Sequence, residues 1–129
     1  MTNDTKTTLT PFLTVTDAKK AVDFYVSAFG ATEMARYDLP HDKISAKISI
    51  DGALFYVADE EPEFGNVSPE ATAANAIRII LETEQADDLF AKALKLGATG
   101  ICPMTTEDDW RIGKLKDPFG HTWELGFKL

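Results

Sequence analysis

Residues 11–31 read PFLTVTDAKKAVDFYVSAFGA. The stretch starts extended, within LTPFLTVT (residues 9–16), and changes its period at Asp17, whose short acidic side chain suits a helix N-cap. Beyond Asp17 the apolar residues Ala18, Ala21, Val22, Tyr25, Ala28 and Phe29 recur at the i, i+3, i+4, i+7 spacing of a buried helical face. Gly30 stands just past the last turn, where a left-handed residue ends helices most easily. Three extended runs follow: ATEMARYDL (31–39), KISAKISI (43–50) and GALFYVAD (52–59). In KISAKISI the residues Ile44, Ala46, Ile48 and Ile50 alternate with others, the mark of a half-buried strand. The pattern predicts a strand, a helix and three more strands.

The same plan recurs downstream. AIRIILE (76–82) reads as a strand, and Thr83 can cap the next helix. Ala86, Leu89, Phe90, Ala93 and Leu96 form its apolar stripe, and Gly97 stops it. TGICPMT (99–105), WRIGKLK (110–116) and HTWELGF (121–127) follow as strands. Laying Phe24 on Phe90 gives an offset of 66 residues, which pairs Val15 with Leu81 and Asp17 with Thr83. Between the copies lies EEPEFGNVSPEATA, whose Pro62, Gly65 and Pro69 break regular structure. Two βαβββ units are expected, at about 8–59 and 74–128 with a linker at 60–73, forming one domain. Either unit alone would leave a sheet face uncovered.

Composition narrows the function. The chain has 129 residues and a formal net charge of −8, with no basic cluster to neutralise a phosphate backbone, so no nucleic-acid partner is expected. No apolar run reaches membrane-spanning length, and the opening MTNDTKTTLT lacks a signal peptide's apolar segment. A cytoplasmic setting without membrane association is expected. Cys102, the single cysteine, lies between Ile101 and Pro103 and reads as a small core residue.

PFLTVTDAKKAVDFYVSAFGA, the loop ADEEPE…SP and WRIGKLKDPFGHTWEL together resemble the vicinal oxygen chelate superfamily of glyoxalases, bleomycin-resistance proteins and dioxygenases, and within it the PhnB-like branch. The resemblance runs from about Leu9 to Phe127. It implies an α+β fold in which the duplicated βαβββ units form a curved eight-stranded mixed sheet around a central cavity. It also implies a homodimer. The superfamily's enzymes bind a metal at four inward positions, on the first and last strand of each unit, filled by histidine, glutamine or glutamate. Carried over, these positions fall on Thr10, Tyr56, Ala76 and Glu124. Only Glu124 is a strong ligand, whereas an open divalent site needs about three. The His-Ala-Glu triplet of many PhnB-like relatives is here Ser45-Ala46-Lys47. No metal and no cofactor are therefore expected.

Strand alternation sorts the side chains into two faces. With Glu124 on one face go Thr122, Gly126, Thr10, Phe12, Thr14, Leu54, Tyr56, Ala58, Ala76, Arg78 and Ile80. The opposite face carries Leu13, Val15, Phe55, Val57, Leu81, Trp123 and Leu125, which suits packing under helices. The mixed face is suited to line a ligand cavity, apolar with a few oriented polar groups. Phe12, Thr14, Tyr56, Arg78, Trp110 and Glu124 are the candidate ligand-binding residues. Arg78 either meets an anionic group or pairs with Glu124; unpaired, Glu124 could act as a general base. His121 reads as a hydrogen-bonded turn residue, His41 as part of a solvated turn, and Asp59, Glu60, Glu61 and Glu63 as a solvated acidic run.

The expectation is a metal-free small-molecule-binding protein that sequesters an antibiotic or aromatic metabolite, with a planar ligand, neutral or cationic. Two alternatives stand beside it. One is a lyase, isomerase or dioxygenase of the same superfamily using a displaced metal site or Glu124 as base. The other is a fold retained for protein interaction.

Overall fold

The structure is a computed structural model and describes residues 7–69 and 75–129. Its elements run β1 (Phe12–Val15), α1 (Ala18–Phe29), β2 (Thr32–Leu39), β3 (Lys43–Ile50), β4 (Ala53–Asp59), β5 (Arg78–Glu82), α2 (Ala86–Lys95), β6 (Thr99–Glu107), β7 (Trp110–Lys116) and β8 (Thr122–Lys128). The fold is α+β, with the eight strands divided between two four-stranded mixed sheets ordered β1-β4-β3-β2 and β5-β8-β7-β6. In each sheet the last three strands of the unit form an antiparallel meander, and the first strand lies parallel to the last.

Local chemistry accounts for the elements. The Asp17 side chain accepts from the Lys20 amide at 3.1 Å, and Gly30 closes α1 at φ 68°. Residues 18, 21, 22, 24, 25, 28 and 29 of α1 are buried. The second helix departs from expectation at its start. Its N-cap is Gln85, not Thr83, whose hydroxyl accepts from the Gln85 amide in the turn ahead of the helix. The repeat offset shifts with it. Phe12 pairs with Tyr56 as Ile80 pairs with Glu124, and the helices begin at Ala18 and Ala86, so the units superpose 68 residues apart. The buried face of α1 contains both Val22 and Phe24, and the equivalent of Phe90 is Val22. Aligning the two phenylalanines therefore errs by two residues.

One apolar core joins both units. Trp123 of β8 sits 5.6 Å from Tyr25, 4.9 Å from Phe29 and 5.7 Å from Phe55, ring centre to ring centre. The face carrying Leu13, Val15, Val57, Leu81 and Leu125 is buried, as alternation predicts. Cys102 departs from expectation. It is exposed, on the edge strand β6, between two register shifts that loosen its pairing with β7. Asp59 also departs: it is buried, and its carboxylate accepts from the amides of Ala18 and Ile44, both at 2.9 Å. It ties the start of α1 to β3. The rest of the acidic run lies outside the core, with Glu60 holding Ser68 in the linker. Residues 70–73 of that linker fall outside the described residues.

Candidate functional site

The stretch DPFGHTW builds the turn between β7 and β8, and Asp117 organises it. One oxygen of its buried carboxylate accepts from the amides of Phe119 (2.9 Å) and His121 (3.0 Å), while the other accepts from the Tyr25 hydroxyl (2.6 Å) and the Trp123 indole (2.9 Å). Gly120, at φ 94°, takes the backbone conformation that side chains disfavour, and its α-carbon faces the carbonyl of Pro69. Burial, reinforced by the charge of Asp117 and the hydrogen bond to it, holds the Tyr25 phenol well above its ordinary pKa. The turn also reaches the first unit a second way: His121 Nε2 donates to the Thr14 carbonyl at 2.8 Å, which places the proton on that nitrogen. The motif that stands out most in the sequence thus locks the two units together, and His121 is a hydrogen-bonded turn residue as expected.

With the units fixed in this way, β1 and β5 lie as the two inner edges of their sheets, and no sheet pairing joins them. A cleft of about 900 Å³ opens between them. Leu9 to Leu13 form one wall and Ala76 to Ile80 the other, with Asn75, His121 and Thr122 at the base. Asn75 donates to the Gly120 carbonyl at 2.6 Å and to the Thr122 hydroxyl at 2.9 Å, which stiffens the base. The cleft is open: Phe12 is 58% and Ile80 64% exposed. The sequence reading places such residues in a ligand cavity; in the single chain Phe12 and Ile80 stand on the two facing sides of an open cleft.

The predicted site residues fall into two local pairs and two outliers. Phe12 and Tyr56 stack at 5.5 Å with an interplanar angle of 14°, across the parallel pairing of β1 and β4. Arg78 and Glu124 form an ion pair, Nε to Oε1, at 2.6 Å. Phe12 and Arg78 line the cleft, backed by Tyr56 and Glu124 respectively. Thr14 lies one pleat beyond Phe12, its carbonyl taken by His121, and outside the cleft lining. Trp110 is remote from Glu124, at the start of β7 opposite Lys128, and does not line the cleft. Lys114 escaped the sequence reading. It lies opposite Glu124 in the β7–β8 ladder, with Nζ 3.5 Å from the same Oε1 that Arg78 holds. The signal was available in WRIGKLK, where Lys114 alternates onto the face of Trp110 and Ile112.

This donor set does not fit a divalent cation. Glu124, with only 12% of its side chain exposed, already faces two cations. The 68-residue register places Arg78, not Ala76, as the counterpart of Thr10. A guanidinium at a ligand position repels a metal and cannot coordinate it. Among the described residues no three His, Cys, Asp or Glu side chains converge. Of the two alternatives the sequence leaves for Glu124, the structure shows the paired one, with Oε1 shared by Arg78 and Lys114.

Two mixed sheets of identical topology, each led by a parallel first strand and covered by one helix, define a duplicated βαβββ protein with a cleft between its units. The chain belongs to the glyoxalase/bleomycin resistance protein/dioxygenase superfamily, whose model matches residues 7–125. It is 38% identical over 125 residues to the protein Mb0911c of Mycobacterium bovis, covering 92% of this chain and 81% of that one. The X-ray structure of the Arabidopsis thaliana product At5g48480 is similar with a TM-score of 0.70 at 30% identity, over 97% of this chain and 100% of that one. A PhnB protein from Bacillus cereus shares the fold with a TM-score of 0.69 at 22% identity, over 94% and 99% of the respective chains.

Proposed function

We propose that the protein is a metal-free member of the superfamily's PhnB-like branch that captures a planar, partly aromatic small molecule and does not turn it over. The observation that carries the reading is the environment of Glu124: its partners are Arg78 at 2.6 Å and Lys114 at 3.5 Å, neither of them a metal ligand here. The stacked rings of Phe12 and Tyr56 supply a flat apolar surface beside the cleft, suited to a planar ligand. The PhnB protein of similar fold is consistent with the branch. No helix among the described residues is long and apolar enough to cross a membrane.

The protein acts as a homodimer in this reading. Leu9, Phe12, Leu54, Ile77 and Ile80 are exposed large apolar residues on or beside the open faces, and the edges of β1 and β5 facing the cleft carry no sheet partner among the described residues. Unpaired edges and clustered apolar surface favour a second chain. Two measurements test the proposal. Metal analysis after dialysis is expected to find far less than one divalent ion per chain. Stoichiometric metal that disappears in Glu124→Gln would overturn the metal-free claim. A thermal-shift screen of planar aromatic compounds is expected to raise the melting temperature, since a ligand at a hundred times its Kd stabilises by about 2.7 kcal/mol. A flat response across such a panel would overturn the binding claim.

A further inference from the structure

Arg78 brings the charges around Glu124 to the cleft wall, while Glu124 and Lys114 stand behind it, outside the lining. Two cations, Arg78 and Lys114, share a single carboxylate oxygen. The cluster therefore carries a net positive charge although the chain as a whole is strongly acidic. It is also positioned. Glu124 is buried and fixes Arg78 by its Nε, while 57% of the arginine side chain remains exposed in the cleft wall. A guanidinium has five N–H donors and one carboxylate engages at most two in a fork, so at least three remain for a ligand. The first unit repeats the arrangement in part. Lys47 lies opposite Tyr56 as Lys114 lies opposite Glu124, and there the central residue is neutral. Phe12, on the facing wall of the same cleft, offers its ring.

Resting on the small-molecule reading above, we propose that the ligand is a planar aromatic carboxylate, its anion held by Arg78, with Lys114 adding positive charge from beyond Glu124, and its ring laid against Phe12. Glu124 is a built-in counter-ion that orients Arg78 and competes with the ligand for it. The sequence-based expectation of a neutral or cationic ligand counted Glu124 as available. Its engagement by two cations reverses that preference. The charge of −8 opposes the long-range approach of an anion, but that effect is screened beyond about 10 Å at ordinary salt, whereas the contact pairs act at hydrogen-bond distance.

The test compares three probes of one shape by isothermal titration: 2-naphthoate, the alcohol 2-naphthalenemethanol and the ammonium form of 2-naphthylmethylamine. The carboxylate is expected to bind at least about tenfold more tightly than either of the others, the scale of one charge-assisted hydrogen bond. Arg78→Gln is expected to bring naphthoate down to the affinity of the alcohol. Glu124→Gln is expected to strengthen naphthoate, because it removes the competing anion, and Lys114→Gln to weaken it. Thermal melts check that each variant folds, and the opposite signs expected for Glu124→Gln and Lys114→Gln separate recognition from general damage. If the amine or the alcohol binds as tightly as naphthoate, or if Glu124→Gln weakens naphthoate, the anion assignment fails and the small-molecule reading stands. If none of the three probes binds, both fail.

Discussion

Replacing Asp117 by alanine is expected to cost about 3–5 kcal/mol of folding stability, and the estimate can be worked from its partners. The carboxylate accepts four hydrogen bonds. The amides of Phe119 and His121 belong to part-buried residues of a turn and can recover water. The Tyr25 hydroxyl and the Trp123 indole cannot, because both residues are fully buried. Each stranded donor costs about 1–3 kcal/mol, and lost packing adds to this. Against a total stability of about 5–15 kcal/mol the change is severe, and a domain of this size should melt roughly 10–20 °C lower. Chemical denaturation of the wild type, Asp117→Ala, Tyr25→Phe and the double variant would give the coupling energy directly. Tyr25→Phe removes one donor and leaves Asp117 three, so about 1–2 kcal/mol is expected, and the two changes should be clearly non-additive. A cost below about 1 kcal/mol for Asp117→Ala, or strict additivity in the cycle, would refute the idea that this carboxylate locks the units together.

Tyr25 also predicts an alkaline limb. Burial and Asp117 raise its folded pKa above the ordinary phenol value, so the folded state holds the proton longer than the unfolded chain does. The resulting stability is fully present below about pH 10 and is lost as pH rises toward the folded pKa. Denaturation midpoints should fall above pH 10 in the wild type and fall less steeply in Tyr25→Phe. Gly120→Ala, at φ 94° with its new methyl group 3.0 Å from the Pro69 carbonyl, is expected to destabilise by about 1–3 kcal/mol in a thermal melt. Phe12→Lys, on the exposed ring of β1, is expected to shift sedimentation toward monomer while changing the melting temperature of the isolated chain little; an unchanged dimer would remove this strand from the interface.

Much of the fold was legible because each signal had one physical source. The burial stripe of α1 and the alternation of KISAKISI need only the geometry of a helix and a strand, and both stand where the residues place them. The misread features arise where two sources compete. Thr83 has the chemistry of an N-cap, but β5 extends to Glu82 and the chain turns through Thr83 before the helix can begin. Cys102 has an apolar neighbour, yet it lies on an edge strand that is exposed along nearly its whole length. Asp59 belongs to an acidic run, and only the approach of α1 and β3 makes it a buried acceptor. At the candidate site, the ring pair and the Arg78–Glu124 pair follow from face alternation. The face of Lys114 is legible in the same way, but its partner is set only by the β7–β8 register, and Asp117 gains its role from partners that meet only after helix docking.

The fate of Glu124 follows from the register of the units. In a duplicated fold, equivalent positions on the two first strands face a common space, and a metal site demands that both supply lone pairs. Here the 68-residue register sets Thr10 against Arg78. A threonine in one unit is neutral toward an ion, but an arginine in the other is hostile to it and attractive to the remaining carboxylate. Once Arg78 has closed on Glu124 at 2.6 Å, a cation has to break that pair before it gains a single ligand. Lys114 on the far side raises the barrier further. In the reading proposed above, the same arrangement that opposes a metal also makes the edge of β5 a place for an anion, and both effects rest on one side chain. Arg78 is therefore the residue whose substitution should change what the cleft accepts, while leaving the lock at Asp117, and with it the fold, intact.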